Sequence, residues 1–220
     1  AGTYEFYIKD KNDCQTPSQS VVITQPDVIT TSHSIINASC YDSTGSLTIN
    51  TINGGTSPYD VDYNNINPLE VLAGQYEYTI SDSKGCEYSF EYEVQQPSPL
   101  SYNFTSSEIL CYDEQSELAI SPSGGTGDII TEINSVVSTL SQLYAGTHSI
   151  RLTDGNDCVL EDSLEIYQPE LLTLELDKVD NSCNGQSLGF INANVSGGTT
   201  PYSYLWSNQA TSQNINQLSQ

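Results

Sequence analysis

The sequence predicts an all-β chain of tandem small immunoglobulin-like β-sandwich repeats of about 72 residues, in an extended array. Three observations predict it. The phrase AGTYEFYIKDKNDC at Ala1 returns as AGQYEYTISDSKGC at Ala73 and AGTHSIRLTDGNDC at Ala145, each 72 residues after the last. Inside each copy apolar side chains alternate with polar ones, the period-two signature of a strand with one buried face. Clusters of Gly, Pro, Asn and Asp separate the alternating runs, as they do between short strands.

Each element follows in order. In the repeated phrase the alternating residues are Tyr4, Phe6 and Ile8, then Tyr76, Tyr78 and Ile80, then His148, Ile150 and Leu152. Each run ends at Asp10, Asp82 or Asp154, passes through a turn to a cysteine, and continues into a second strand such as EYSFEYEV. That is a β-hairpin. A Gln-Pro pair closes the unit at Gln25, Gln96 and Gln168. Proline cannot donate to a ladder and restricts the residue before it, so the pair reads as a short, stiff linker. A Gly-Gly-Thr triplet recurs at Gly54, Gly124 and Gly197. A second alternating run follows it: Tyr59, Val61, Tyr63; Ile129, Thr131, Ile133; Tyr202, Tyr204, Trp206. A further strand follows Cys40, Cys111 and Cys183, with Leu47, Leu118 and Phe190 each seven residues on.

About seven short strands per repeat suit a small sandwich. Leu72-Ala73-Gly74 before Tyr76 has the arrangement of a tyrosine corner, with His148 in place of the tyrosine in the next copy. A period this long exceeds a solenoid repeat and approaches a small domain. The landmarks divide the chain into the closing hairpin of one repeat (1–26), complete repeats at 27–97 and 98–169, and the opening part of another at 170–220. Because the chain starts inside the repeated phrase, it reads as a piece of something longer.

Composition narrows the function. With 28 Asp and Glu against 5 Lys and Arg, the net charge is −23, which disfavours nucleic acid and anionic membrane surfaces as partners. No run approaches the roughly 18 apolar residues of a membrane span, so direct membrane insertion is not expected. His33 and His148 are the only histidines, and no nucleophile elbow is present. The chain is not expected to be an enzyme.

CYDSTGS, GGTSPY, AGQYEYTISDSKGC and QQP, in that order, resemble the SprB repeat family, and GGTTPYSYLWSN is the closest single match. GGTGDI in the second complete repeat departs from the pattern, lacking its Pro-Tyr. The resemblance covers essentially all 220 residues. It implies a repeat of the long cell-surface adhesins of gliding Bacteroidetes, exported by the type IX secretion system. The expected function is a semi-rigid extracellular shaft that bears load and presents an adhesive region. Its expected partners are adjacent repeats, a surface polysaccharide or the motility machinery. Such bacteria O-glycosylate Asp-(Ser/Thr)-(small or aliphatic) motifs, which makes Ser43 in DST and Ser163 in DSL candidate sites. The rival reading is a set of tandem carbohydrate-binding modules, because tyrosines on sandwich loops can stack on sugars.

The cysteines Cys14, Cys40, Cys86, Cys111, Cys158 and Cys183 suggest disulfides in a secreted chain. Three pairings respect the repeat: neighbours (Cys14–Cys40, Cys86–Cys111), partners within a repeat (Cys40–Cys86, Cys111–Cys158), or Cys40–Cys158 between successive repeats. In an immunoglobulin-like topology neighbours lie up to ~80 Å apart along an extended chain. A bridge needs Cα atoms within about 7 Å. The same topology places Cys40 facing Cys158 across a joint and puts that pair first. The hairpin-turn aspartates Asp10, Asp13, Asp82, Asp154 and Asp157 are candidate calcium ligands, with turn formation as their alternative role.

Overall fold

The computed structural model describes residues 1–218, and every regular element among them is a β-strand. None of the described residues forms a helix long and apolar enough to cross a membrane. The chain divides into two compact units, Ala1–Ser98 and Pro99–Gln220.

The first unit opens with an antiparallel hairpin, β1 (Gly2–Phe6) and β2 (Gln19–Ile23). The complete repeat follows. Its β3 (Thr30–Ile36) pairs with β4 (Ser46–Asn53). A second sheet runs in the order β5 (Tyr59–Asp62), β6 (Gly74–Asp82), β7 (Glu87–Val94). The two sheets contribute to one core of Ile29, Leu47, Val71, Tyr78, Ile80, Tyr92 and Val94. Burial in β6 alternates as the sequence predicts, with Tyr78, Ile80 and Asp82 inside and Glu77 outside.

The second unit repeats this plan with more strands. One sheet pairs β8 (Ser101–Ser106) with β9 (Ser116–Ser123). The other includes β10 (Ile130–Ile133), and β11 (Val136–Val137) forms its edge. β12 (Leu140–Leu143) returns to pair with β9. The hairpin β13 (Gly146–Thr153) and β14 (Val159–Ile166) completes the β11-β10-β13-β14 sheet. Leu118, Ile120, Ile133, Ile150 and Leu152 dominate its core. The rest of the unit is one three-stranded sheet of β15 (Thr173–Val179), β16 (Gly189–Ser196) and β17 (Ile215–Leu218).

Three expectations need correction. No sheet closes into a barrel, and neither repeat forms a clear immunoglobulin-like sandwich. The first repeat has five strands rather than about seven, because the segment after β5 turns through Asn64 and Asn65 at positive φ and carries Pro68. It meets the start of β4 through the isolated Gly45–Val71 bridge and the Leu47 N–H bond to the Pro68 carbonyl, where β12 lays four residue pairs on β9 in the second repeat. The strand expected at Tyr202–Trp206 is also absent. Its counterparts β5 and β10 pair with the first strand of a hairpin, β6 and β13. Residues 170–218 contain no such strand, so the ladder has no second side.

Candidate functional site

The recurring aspartate is the hub of each hairpin. At the end of β6 the Asp82 carboxylate accepts backbone N–H bonds from Lys84 (2.8 Å) and Cys86 (2.9 Å) on one oxygen, and from Thr56 (2.8 Å) on the other. Asp154 does the same for Asn156, Cys158 and Thr126, at 2.9, 2.9 and 2.7 Å. Asp10 accepts from Asn12 and Cys14. An ionised carboxylate offers about four lone-pair sites, which suits it to close a turn and reach a third strand segment at once.

Both complete-repeat aspartates are buried. The Cys86 N–H holds the Asp82 carboxyl below the usual carboxylate range; burial opposes it, and the Lys84 and Thr56 N–H groups add to it. For Asp154 burial pushes the carboxyl up, but the N–H groups of Cys158, Thr126 and Asn156 outweigh it and hold the group low. The donors stabilise the charged form, and the charged form organises the turn.

The Gly-Gly-Thr triplet has a steric cause. Gly54, Gly124 and Gly197 all adopt positive φ, near +77°, +83° and +71°. A Cβ there would lie 2.0, 1.9 and 2.0 Å from the carbonyl oxygens of Val28, Pro99 and Leu171. The middle of each repeat is thus seated on its own first residues, and the next Gly N–H bonds back to Asp27 and Glu170 in two of the three copies. The corner also forms. The Tyr76 hydroxyl donates to the Leu72 carbonyl at 3.0 Å, and His148 Nε2 sits 2.9 Å from the matching Tyr144 carbonyl. His148 keeps the corner contact with a different side chain.

The glutamine of the Gln-Pro pair is a functional position that sequence reasoning missed. Gln96 Oε1 accepts from the Asp42 N–H, and Gln168 Oε1 from the Asp113 N–H, both at 2.9 Å. Each tethers the loop after the mid-repeat cysteine to the end of the same repeat. The constant Gln before Pro was the available signal, although attention to the proline alone passes over it.

The predicted site residues fall into distinct settings. Cys14, Cys86, Cys111 and Cys183 are exposed free thiols, whereas Cys40 and Cys158 are in the disulfide state. Asp13 and Asp157 occupy positive-φ turn positions. Among the described residues no group of three or more His, Cys, Asp or Glu is gathered as a metal site would require. The Ser43 hydroxyl is engaged twice with the Cys40 backbone, donating to its carbonyl and accepting from its N–H. Ser163 lies exposed on β14.

Aromatic groups do not recur as a ligand platform. The Tyr59 and Tyr202 hydroxyls each donate to the carbonyl of the first glycine of their triplet, and Ile129 holds that place in the second repeat. Tyr76 and Tyr92 stack with centroids 5.5 Å apart, but His148 and Leu164 form the corresponding cross-strand pair.

Residues 176–211 match the family described as the SprB repeat. No curated protein matches the chain. The SprB repeat is a non-catalytic adhesion module, and with that match the location is extracellular, at the cell surface.

Proposed function

We propose that the chain is a segment of the shaft of a long cell-surface adhesin, acting mechanically to space and present an adhesive region. The observation that carries this reading is the duplication of one structural plan. Two complete repeats each have a separate core, and each is latched by the same aspartate, glycine and glutamine contacts. Repeats whose retained residues all serve their own fold suit a spacer better than a ligand site. The −23 charge suits a solvated shaft that repels its neighbours.

In this reading Cys40 bonds to Cys158 and staples successive repeats. Each repeat acts as a separate bead, a gliding motility apparatus and type IX export serve the adhesin, and Ser163 is the better presented glycosylation site. The carbohydrate-binding alternative loses support because the tyrosines are not retained from repeat to repeat.

The test is a non-reducing peptide map with the intact mass, followed by single-molecule stretching with and without reductant. A Cys40–Cys158 peptide, and an added extension step only after reduction, would support the shaft. A Cys40–Cys86 or Cys111–Cys158 peptide would refute the staple.

A further inference from the structure

The second complete repeat leaves open a strand edge that the first one guards. β12 is an outer strand of the β12-β9-β8 sheet, and β11 is an outer strand of β11-β10-β13-β14. One segment, residues 136–143, therefore gives both sheets an edge. Along an antiparallel strand, residues that bond to the neighbour alternate with residues that do not. The Ile120 N–H bonds to the Thr139 carbonyl, and Leu140 pairs with Ala119. Thr139, Ser141 and Leu143 thus turn their peptide groups toward β9, and Leu140 and Gln142 turn theirs outward. Outward peptide groups on an edge are a template for another strand.

The two repeats treat these outward positions differently. Pro68 and Glu70 stand 72 residues before Leu140 and Gln142. Proline has no N–H to give, and a charge resists an incoming strand; both devices keep edges single. The second repeat has neither. From Ile133 to Ile150 there is no Asp, Glu, Lys, Arg or Pro, and Val136, Val137, Leu140 and Tyr144 are exposed. The Ser138 hydroxyl accepts from the Leu140 N–H at 3.1 Å and donates to the Leu140 carbonyl. One hydroxyl therefore fills both places that a neighbouring strand's C=O and N–H would take.

We infer that β12 of one copy of this chain pairs antiparallel with β12 of a second copy, about a two-fold axis at Ser141. Outward residues must face outward residues. Leu140 then opposes Gln142 of the second copy, Gln142 opposes its Leu140, and each Ser138 hydroxyl is released. Two three-stranded sheets become one of six strands. The occupant is a second copy because the edge is its own complement in this register, and because it brings no charge to a contact between chains that each carry −23. The same docking in the first repeat would set Glu70 against Pro68. The contact joins like to like, so it closes at two copies for each such edge. Salt screens the repulsion between the rest of the two chains, so the pair tightens as ionic strength rises. The pairing does not rest on the shaft reading; within that reading it ties two shafts side by side.

The experiment uses the 220-residue chain with its free thiols alkylated, so that no new disulfide joins copies. Sedimentation equilibrium across a concentration and salt series should show a monomer–dimer equilibrium that shifts toward dimer with salt. Hydrogen exchange at the Gln142 amide should slow only in the dimer. Gln142→Glu and Leu140→Pro, which restore the guards of the first repeat, should each abolish the dimer. Ser138→Ala, which clears the edge, should tighten it. Calorimetry of Gln142→Glu should show the melting of the second repeat unchanged, separating lost docking from lost fold. A monomer at every concentration and salt for both the parent and Ser138→Ala would overturn the proposal. So would dimers that Gln142→Glu leaves intact, or oligomers that grow without stopping at two.

Discussion

The same phrase in two settings allows a matched pair of substitutions. Ile80→Ala and Ile8→Ala remove the same atoms from equivalent positions, one fully buried in the core around Tyr78 and Tyr92, the other on an open face. Truncating a buried isoleucine to alanine costs about 2–5 kcal/mol, the lost transfer free energy plus the cavity left behind. A repeat of about 70 residues has about 4–10 kcal/mol in all, so the change removes a large share. At roughly 4–8 °C per kcal/mol for a domain this small, its transition should fall by about 10 °C or more. Ile8→Ala in dilute, reduced protein should stay within about 0.5 kcal/mol of the parent. Scanning calorimetry of the whole chain resolves the comparison, with Leu152→Ala as the matched change in the second core. Equal shifts from Ile80→Ala and Ile8→Ala would refute the assignment of one separate core to each complete repeat.

Further outcomes follow from the contacts around the turns. Gly124→Ala should destabilise the second repeat by about 1–3 kcal/mol or more, since it combines a strained φ with a 1.9 Å approach to the Pro99 carbonyl, and a urea titration measures it. Tyr76→Phe should cost about 0.5–1.5 kcal/mol by removing the bond to Leu72, read in the same titration. Asp82 and Asp154 have lowered folded-state pKa values, so their stabilisation is present above the unfolded carboxylate value of about 3.9 and is lost as pH falls through the folded values. Asp82→Asn and Asp154→Asn should lower the melting temperature at neutral pH and flatten its decline in acid. Millimolar calcium should leave the melting temperature unchanged, because both carboxylates are already occupied by three N–H donors.

Much of this was legible in the residues. Strand alternation in the hairpins, the corner at Tyr76 and the turn at each aspartate follow from local chemistry, and local chemistry recurs wherever the phrase does. What failed to be legible was relational. The run Tyr202–Trp206 has the right pattern for a strand, but a strand needs a partner, and pattern cannot supply one. Asn64, Asn65 and Pro68 should have lowered the expected strand count of the first repeat, since turn residues and a missing N–H both work against a ladder. The role of Gln96 and Gln168 depends on a side chain reaching more than fifty residues back, a distance at which spacing carries no information. The triplet glycines were visible as a motif, but only the approach of Val28, Pro99 and Leu171 explains them.

The aspartate latch also sets how a repeat would yield to a pull. Asp82 ties the closing hairpin to the turn at Thr56, and Gly54 seats that turn on Val28 near the start of the repeat. Peeling the hairpin therefore strips the carboxylate from the middle of the repeat, and the opening strands lose their cover in the same event. Such a module has no half-open length to offer. Once the bridge from Cys40 is reduced, it should release its whole contour, about 240 Å for a repeat of some 70 residues, in a single step. A series of them would lengthen as a staircase, dissipating work one repeat at a time.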